Sequence, residues 1–132
     1  MPAHDLASTY LRLRPDGSIE KLPAEGFWPQ LMSGQLGDFH HEYLVTTADY
    51  SADWPAWEIH PNGDEIVCLL SGAATLTLEA PDGSLSEVTL AQPGDFAFVP
   101  RGTWHTARIA TASRFFFITA GEGTRNRPKA AS

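Results

Sequence analysis

The chain has 132 residues, one domain's worth, of which 42% are hydrophobic and 19% charged; this excludes disorder as a whole. A formal net charge of −7, with no basic patch before a tail holding Arg125, Arg127 and Lys129, repels phosphate backbones, so nucleic acid is not an expected partner. No run approaches the roughly 20 apolar residues that span a bilayer, and the segment from Met1 to Tyr10 lacks a basic start followed by an apolar core, so the expectations are no membrane span, no signal peptide and a cytoplasmic location.

Residues 1–8 read as a loose tail. Tyr10 to Arg14 alternates apolar and polar, and Ile19 to Leu22 follows a Pro15-Asp16-Gly17 turn, which predicts a hairpin over 9–22. Phe27 to Gly34 is the one stretch where a short helical turn is expected, limited by Pro29. Phe39 to Thr47 and Trp54 to His60 read as strands. Glu65 to Leu70 is an apolar strand stopped by Ser71-Gly72, and it carries the single cysteine, Cys68, which has no adjacent base and reads as a small buried hydrophobe. Thr75 to Leu78 and Ser86 to Leu90 flank a second Pro-Asp-Gly turn at 81–83. Phe96 to Val99, His105 to Ile109 and Ser113 to Thr119 complete the strands, and 122–132 reads as a frayed tail.

Turn residues recur about every 8–12 positions, the spacing of a sandwich or barrel of short strands. The expected fold is therefore one all-β domain over 1–132, with its core at 55–120. The aromatic residues Trp54, Trp57, Phe96, Phe98, Trp104, Phe115, Phe116 and Phe117 are expected in the core, on a dimer surface or in a pocket wall. Gly72 and Gly102 close turns between strands, where positive φ or close backbone approach is expected. The predicted state is a homodimer, with the strand around Tyr10 to Arg14 covering or extending a partner's sheet.

The residues that carry chemistry begin at Glu58 and His60. Two apart on a strand, they project from one face, while Trp57 and Ile59 project from the other. The tight Pro61-Asn62-Gly63-Asp64 turn returns the chain so that Glu65 can stand beside His60. Forty residues on, Gly94 to Val99 leads into a Pro100-Arg101-Gly102 turn, with His105 opening the next strand. Imidazole and carboxylate groups on adjacent strands are how a rigid β scaffold presents nitrogen and oxygen ligands to a metal. The competing reading is a barrel without metal, its carboxylates held by arginine or water. His40 and His41, adjacent in sequence, face opposite sides if extended and are expected to be solvent-facing or hydrogen-bonded.

Together these segments resemble the cupin superfamily. The first motif is carried by Glu58, His60, Glu65 and Gly72, the second by Gly94, Pro100, Gly102 and His105 with every spacing kept. The flanks at 104–108 and 117–124 are similar to small bacterial single-domain cupins. The resemblance implies a double-sheet jelly-roll barrel and one divalent ion (Mn, Fe, Ni or Zn) held by Glu58, His60, Glu65 and His105. Asp64 is an alternative to Glu65, since family spacings of three and four residues both occur. Two positions depart from the pattern. Glu58 stands where the family usually has histidine, which lowers the net charge of a divalent site from +1 to zero. Ile109 stands where asparagine is common. The implied function is metal-dependent binding of a small molecule in the lumen, with oxygenase, isomerase or decarboxylase-like chemistry if catalytic. The alternative is a non-enzymatic metal or metabolite sensor.

Overall fold

The computed structural model describes residues 2–129. It contains β1 (Thr9–Leu13), β2 (Ile19–Pro23), a short helix α1 (Phe27–Met32), β3 (Tyr43–Tyr50), β4 (Ala56–Ile59), β5 (Glu65–Glu79), β6 (Leu85–Leu90), β7 (Phe96–Val99), β8 (Trp104–Thr119) and β9 (Arg125–Pro128). Among the described residues, no helix is long and apolar enough to cross a membrane. Both Pro-Asp-Gly sequences form the expected turns. Asp16 Oδ1 accepts from the Ser18 backbone N–H at 2.9 Å, and Asp82 Oδ1 accepts from that of Ser84 at 2.9 Å, so each carboxylate closes its turn locally.

The architecture rests on two long strands. The first half of β5 pairs with β7 and with the second half of β8, whose other edge meets β3. The second half of β5 pairs with β6 and with the first half of β8, whose other edge meets β4 at Glu58↔His105. β5 and β8 thus belong to both faces of a jelly-roll barrel. All nine strands form one hydrogen-bonded network that is not closed into a ring.

The sequence suggests that Ser71-Gly72 ends one strand and that a break separates Ile109 from Ser113. Instead each long strand bends through irregular pairing between Leu69 and Ala74. Such bulges let a strand turn from one sheet to the other without losing its partner. Gly72 sits at this bend with φ +92°, and a Cβ there would collide with the Ser113 side chain and lie 2.5 Å from the Ala112 carbonyl oxygen. Gly102 also has positive φ, +72°, but open space around it. Gly72→Ala is therefore expected to cost about 3 kcal/mol or more, from backbone strain plus overpacking, against about 1 kcal/mol for Gly102→Ala. Denaturant melts of the two variants check this, and equal losses would contradict it.

The inward residues Val67, Leu69, Leu76, Leu90, Val99 and Phe115 fill one end of the barrel and are almost wholly buried. Each stabilises the fold by about 1.5–3 kcal/mol through removal from water. A second, smaller cluster joins Tyr10, Leu22, Phe27, Phe39 and Leu44, and it anchors the N-terminal hairpin and α1 beside the barrel.

Several expectations are corrected. β1 is paired on both edges within its own chain, to β2 and β3, so it has no free edge to offer a partner. The strand expected from Phe39 begins at Tyr43, because Phe39 (φ 58°) and His41 (φ 56°) adopt left-handed turn conformations. Within the tail expected to fray, Arg125–Pro128 forms β9 along the free edge of β4, and Arg127 stacks between Trp57 and Trp104 at 5.0 and 4.7 Å. The end of that tail, 130–132, lies outside the described residues. Cys68 is half-buried on the outer face, not in the core, and burial followed by the Asp95 charge pushes its thiol up.

Candidate metal centre

The strand alternation that puts Glu58 and His60 on one side aims both into the open end of the barrel. His105, directly across from Glu58 on β8, projects from the same sheet face. Glu65 comes from the opposite side, at the start of β5, where Thr119 Oγ1 donates to its Oε2 at 2.8 Å. The bend in β5 and β8 brings these ends together. His60, Glu65 and His105 are 3%, 3% and 0% exposed, while Glu58 keeps about a third of its side chain accessible (32%) on the cavity side. Glu58, His60 and His105 each offer a ligand atom within 4.8 Å of the others. Glu65 is not one of that trio, but it touches both rings, with Oε1 2.8 Å from His105 Nε2 and Oε2 3.4 Å from His60 Nε2.

The second ring nitrogens fix the tautomers. His105 Nδ1 lies 3.0 Å from the Thr103 carbonyl oxygen, which can only accept, so Nδ1 carries the proton. The Thr124 hydroxyl donates its proton to the Gly121 carbonyl oxygen at 3.0 Å and therefore accepts from His60 Nδ1–H at 2.8 Å. With Nδ1 protonated in both rings, Nε2 is the nitrogen that each turns toward the carboxylates, and its lone pair is free for a metal whenever the ring is neutral. This is the orientation of a metal-binding histidine whose outer nitrogen is held by an oxygen.

Those lone pairs have no partner among the described residues. His60 Nε2, His105 Nε2 and Glu65 Oε1 are buried without a hydrogen bond. His105 Nε2 and Glu65 Oε1 lie 2.8 Å apart without hydrogen-bond alignment. An unsatisfied buried polar atom costs about 1–3 kcal/mol, so three that converge favour a bound metal ion, a proton or an ordered water between them. The donor set of two imidazoles and two carboxylates suits a divalent transition ion.

The electrostatics agree in direction. Burial pushes Glu65 up, but the two imidazoles outweigh it and hold the carboxyl at about 2. Burial pushes His105 down, and Glu65 reverses this so that the ring's pKa is raised. Glu58 is raised, by burial first, with the Glu65 charge adding and the two imidazoles opposing. Tyr50 is raised by burial and then by Glu58 and Glu65, so its hydroxyl keeps its proton.

Other residues singled out in the sequence fall elsewhere. Asp64 is exposed and accepts from the Arg101 backbone N–H at 2.8 Å, closing a turn at the surface. His40 Nδ1 lies 2.7 Å from Glu122 Oε2 at the surface, and His41 lines a separate small cavity of about 190 Å³ with Tyr43, Asn62 and Arg101. Trp54, Phe115 and Phe117 are buried, whereas Phe96 and Phe98 are 57% and 53% exposed. Sequence reasoning missed Thr124, inside the presumed tail, and the Thr103 carbonyl, which has no residue-type signal at all.

A cavity of about 570 Å³ opens beside Glu58, His60 and Glu65. Its walls are β3, through Leu44, Thr46, Ala48 and Tyr50, together with Trp54 and Phe117; Trp28, Leu31 and Met32 of α1 stand at its rim.

Comparison with known proteins agrees with this architecture. Similar solved structures include an oxalate oxidase (TM-score 0.54, 18% identity, covering 62% of this chain and 44% of that one). Another is the oxalate decarboxylase of Bacillus subtilis, in a study of its Mn(II) centres (TM-score 0.52, 22% identity, 66% and 23%). A third is hydroquinone 1,2-dioxygenase from Sphingomonas sp. TTNP3 with 4-hydroxybenzoate bound (TM-score 0.52, 16% identity, 61% and 60%). The chain thus spans less than half the length of the first two, and at these identities the likeness is one of fold. No curated protein matches the chain in sequence. The model of the cupin domain matches residues 47–121, more than half of the sequence and all the strands that carry the converging side chains, and the chain belongs to that family.

Proposed function

We propose that the protein binds one divalent metal ion (Mn, Fe, Ni or Zn) through Glu58, His60, Glu65 and His105, and that the ion presents open positions to a small molecule in the cavity. The observation that carries this reading is the convergence of three buried atoms, His60 Nε2, His105 Nε2 and Glu65 Oε1, that have no hydrogen-bond partner among the described residues. When bound, such an ion supplies Lewis-acid polarisation of a ligand oxygen. The chain's own residues do the rest. Thr103 and Thr124 hold the two rings in the ligating tautomer, and Thr119 orients Glu65. Oxidase, decarboxylase and dioxygenase neighbours share the fold, which leaves catalysis and non-catalytic sensing to experiment. Protein purified without chelator or histidine tag should hold about one divalent ion per chain, and its melting temperature should rise with added metal. Retention of no ion, together with no thermal shift from any of the four metals, would refute the reading.

We also propose that the chain forms a homodimer, through its outer sheet face. Rows Phe98–Ile66–Ile118 and Phe96–Cys68–Phe116 run uncharged across β7, β5 and β8, and β7 is an edge strand. A contiguous apolar patch beside an unpaired edge is suited to a second, identical copy, since it has no charge to specify a different partner. Light scattering at micromolar concentration should give a dimer that Phe98→Glu converts to a monomer with unchanged metal content. A monomeric wild type would end this proposal.

A further inference from the structure

Resting on the metal centre proposed above, we infer that the cavity takes an uncharged aromatic compound bearing a hydroxyl or carbonyl oxygen, and discriminates against small dicarboxylate anions such as oxalate. The first observation is charge. Among the described residues that line the cavity there is no lysine or arginine, whereas Asp38, Glu58, Glu65 and Glu122 all do so. Two nearby guanidinium groups are engaged elsewhere, Arg12 by Glu42 at 2.8 Å and Arg127 by Glu79 at 3.0 Å between two tryptophan rings, and Arg101 lines the separate small cavity. An anion entering this space would lose its hydration and meet no fixed cation other than the ion. Two carboxylates at the centre cancel the charge of a divalent ion, so its pull on a dianion is weak as well.

The second observation is the wall. Tyr50, Trp54 and Phe117 form a connected aromatic surface, with ring centroids 5.6 Å apart for Tyr50–Trp54 and 6.1 Å for Trp54–Phe117. The wall reaches the centre itself, since Trp54 is 6.1 Å from the His105 ring. Stacked or edge-on contact with such a wall favours a planar ring. Trp54 is 5% exposed and forms the inner part of this wall; the oxygen substituent is called for by the metal centre, which binds and polarises oxygen. The third observation is size. About 570 Å³ lies within the roughly 300–1,000 Å³ typical of small-molecule sites, and oxalate would leave most of it unfilled.

The test is isothermal titration of the Mn(II)-loaded protein with 4-methylphenol and with oxalate. The expected result is that 4-methylphenol binds at least about tenfold more tightly, and that Trp54→Leu removes at least about tenfold of that affinity with Mn(II) content unchanged. Oxalate binding as tightly as 4-methylphenol, or more so, overturns the inference, as does a folded Trp54→Leu variant with wild-type affinity. Phe117→Leu reads the same wall if Trp54→Leu does not fold, and the wild-type comparison needs neither variant. A chain that retains no Mn(II) defeats the metal centre alone. The same pair of ligands titrated against the metal-free protein then decides the ligand class, because the wall and the missing guanidinium do not depend on the ion.

Discussion

His105→Ala is expected to abolish divalent-metal binding and, with it, the whole metal-dependent rise in melting temperature. The ring is fully buried, its Nδ1–H is committed to the Thr103 carbonyl, and its Nε2 lies 2.8 Å from Glu65. No other described side chain stands ready to replace that lone pair. At a hundredfold excess of metal over Kd the wild type gains about 2.7 kcal/mol, on the order of 10 °C for a domain of this size. The variant should gain nothing, whatever its own baseline, so the comparison separates lost ligation from the cavity that truncation leaves. His60→Ala should behave alike. Glu58 is the informative partner. Glu58→Gln keeps shape but removes a charge, so binding should weaken and the loaded centre become net positive. Glu58→His supplies the imidazole more common in the family and should bind at least as well. Metal content and affinity untouched by Glu58→Gln would show that Glu58 is not a ligand.

Metal binding should strengthen steeply with pH. Without metal, the Glu65 carboxylate 2.8 Å from Nε2 favours a proton on His105. Burial opposes that proton on His105 but Glu65 outweighs burial, so the folded pKa is raised above the ordinary 6.5. The stability this contributes is fully present below 6.5 and is lost as pH rises through the raised folded value. Glu65, depressed from 4.5 to about 2, contributes stability present above 4.5 and lost as pH falls through about 2. A metal ion must displace the His105 proton, so apparent affinity should fall about tenfold for each pH unit below the His105 value. The thermal shift produced by Mn(II) should therefore be small near about pH 5.5 and much larger near about pH 8. Melting curves with and without Mn(II) across that range measure it, and a shift constant with pH would exclude a proton-competing imidazole from the site.

The facing of Glu58, His60 and Glu65 was legible because its signals are local. Two-residue alternation puts Glu58 and His60 on one face, the Pro61–Asp64 turn returns Glu65 beside them, and the Pro100–Gly102 turn delivers His105. His105 was marked only by its place in the second motif, and its position across from Glu58 comes from the long-range pairing of β4 with β8; the first two follow from backbone geometry within a few residues. Both Pro-Asp-Gly turns were readable for the same reason, since aspartate closes them with its own carboxylate.

What was not legible depends on partners distant in sequence. A run of Gly, Pro and small polar residues after 121 carries no strand pattern. Its residues 125–128 become β9 because β4 has a free edge and Arg127 finds two indole faces. Thr124 gains its role through His60, sixty-four positions away. The breaks expected at Gly72 and after Ile109 became bends because β5 and β8 stay paired to each other throughout. By itself, then, the sequence determined an all-β chain, its turns and the faces from which the metal-type ligands project, since these follow from φ/ψ preference and a period of two. The cavity, its aromatic wall and the oxygen partners that set the histidine tautomers were decided only in the tertiary structure. They depend on which strand edges meet, and hydrophobic burial and long-range pairing settle that together.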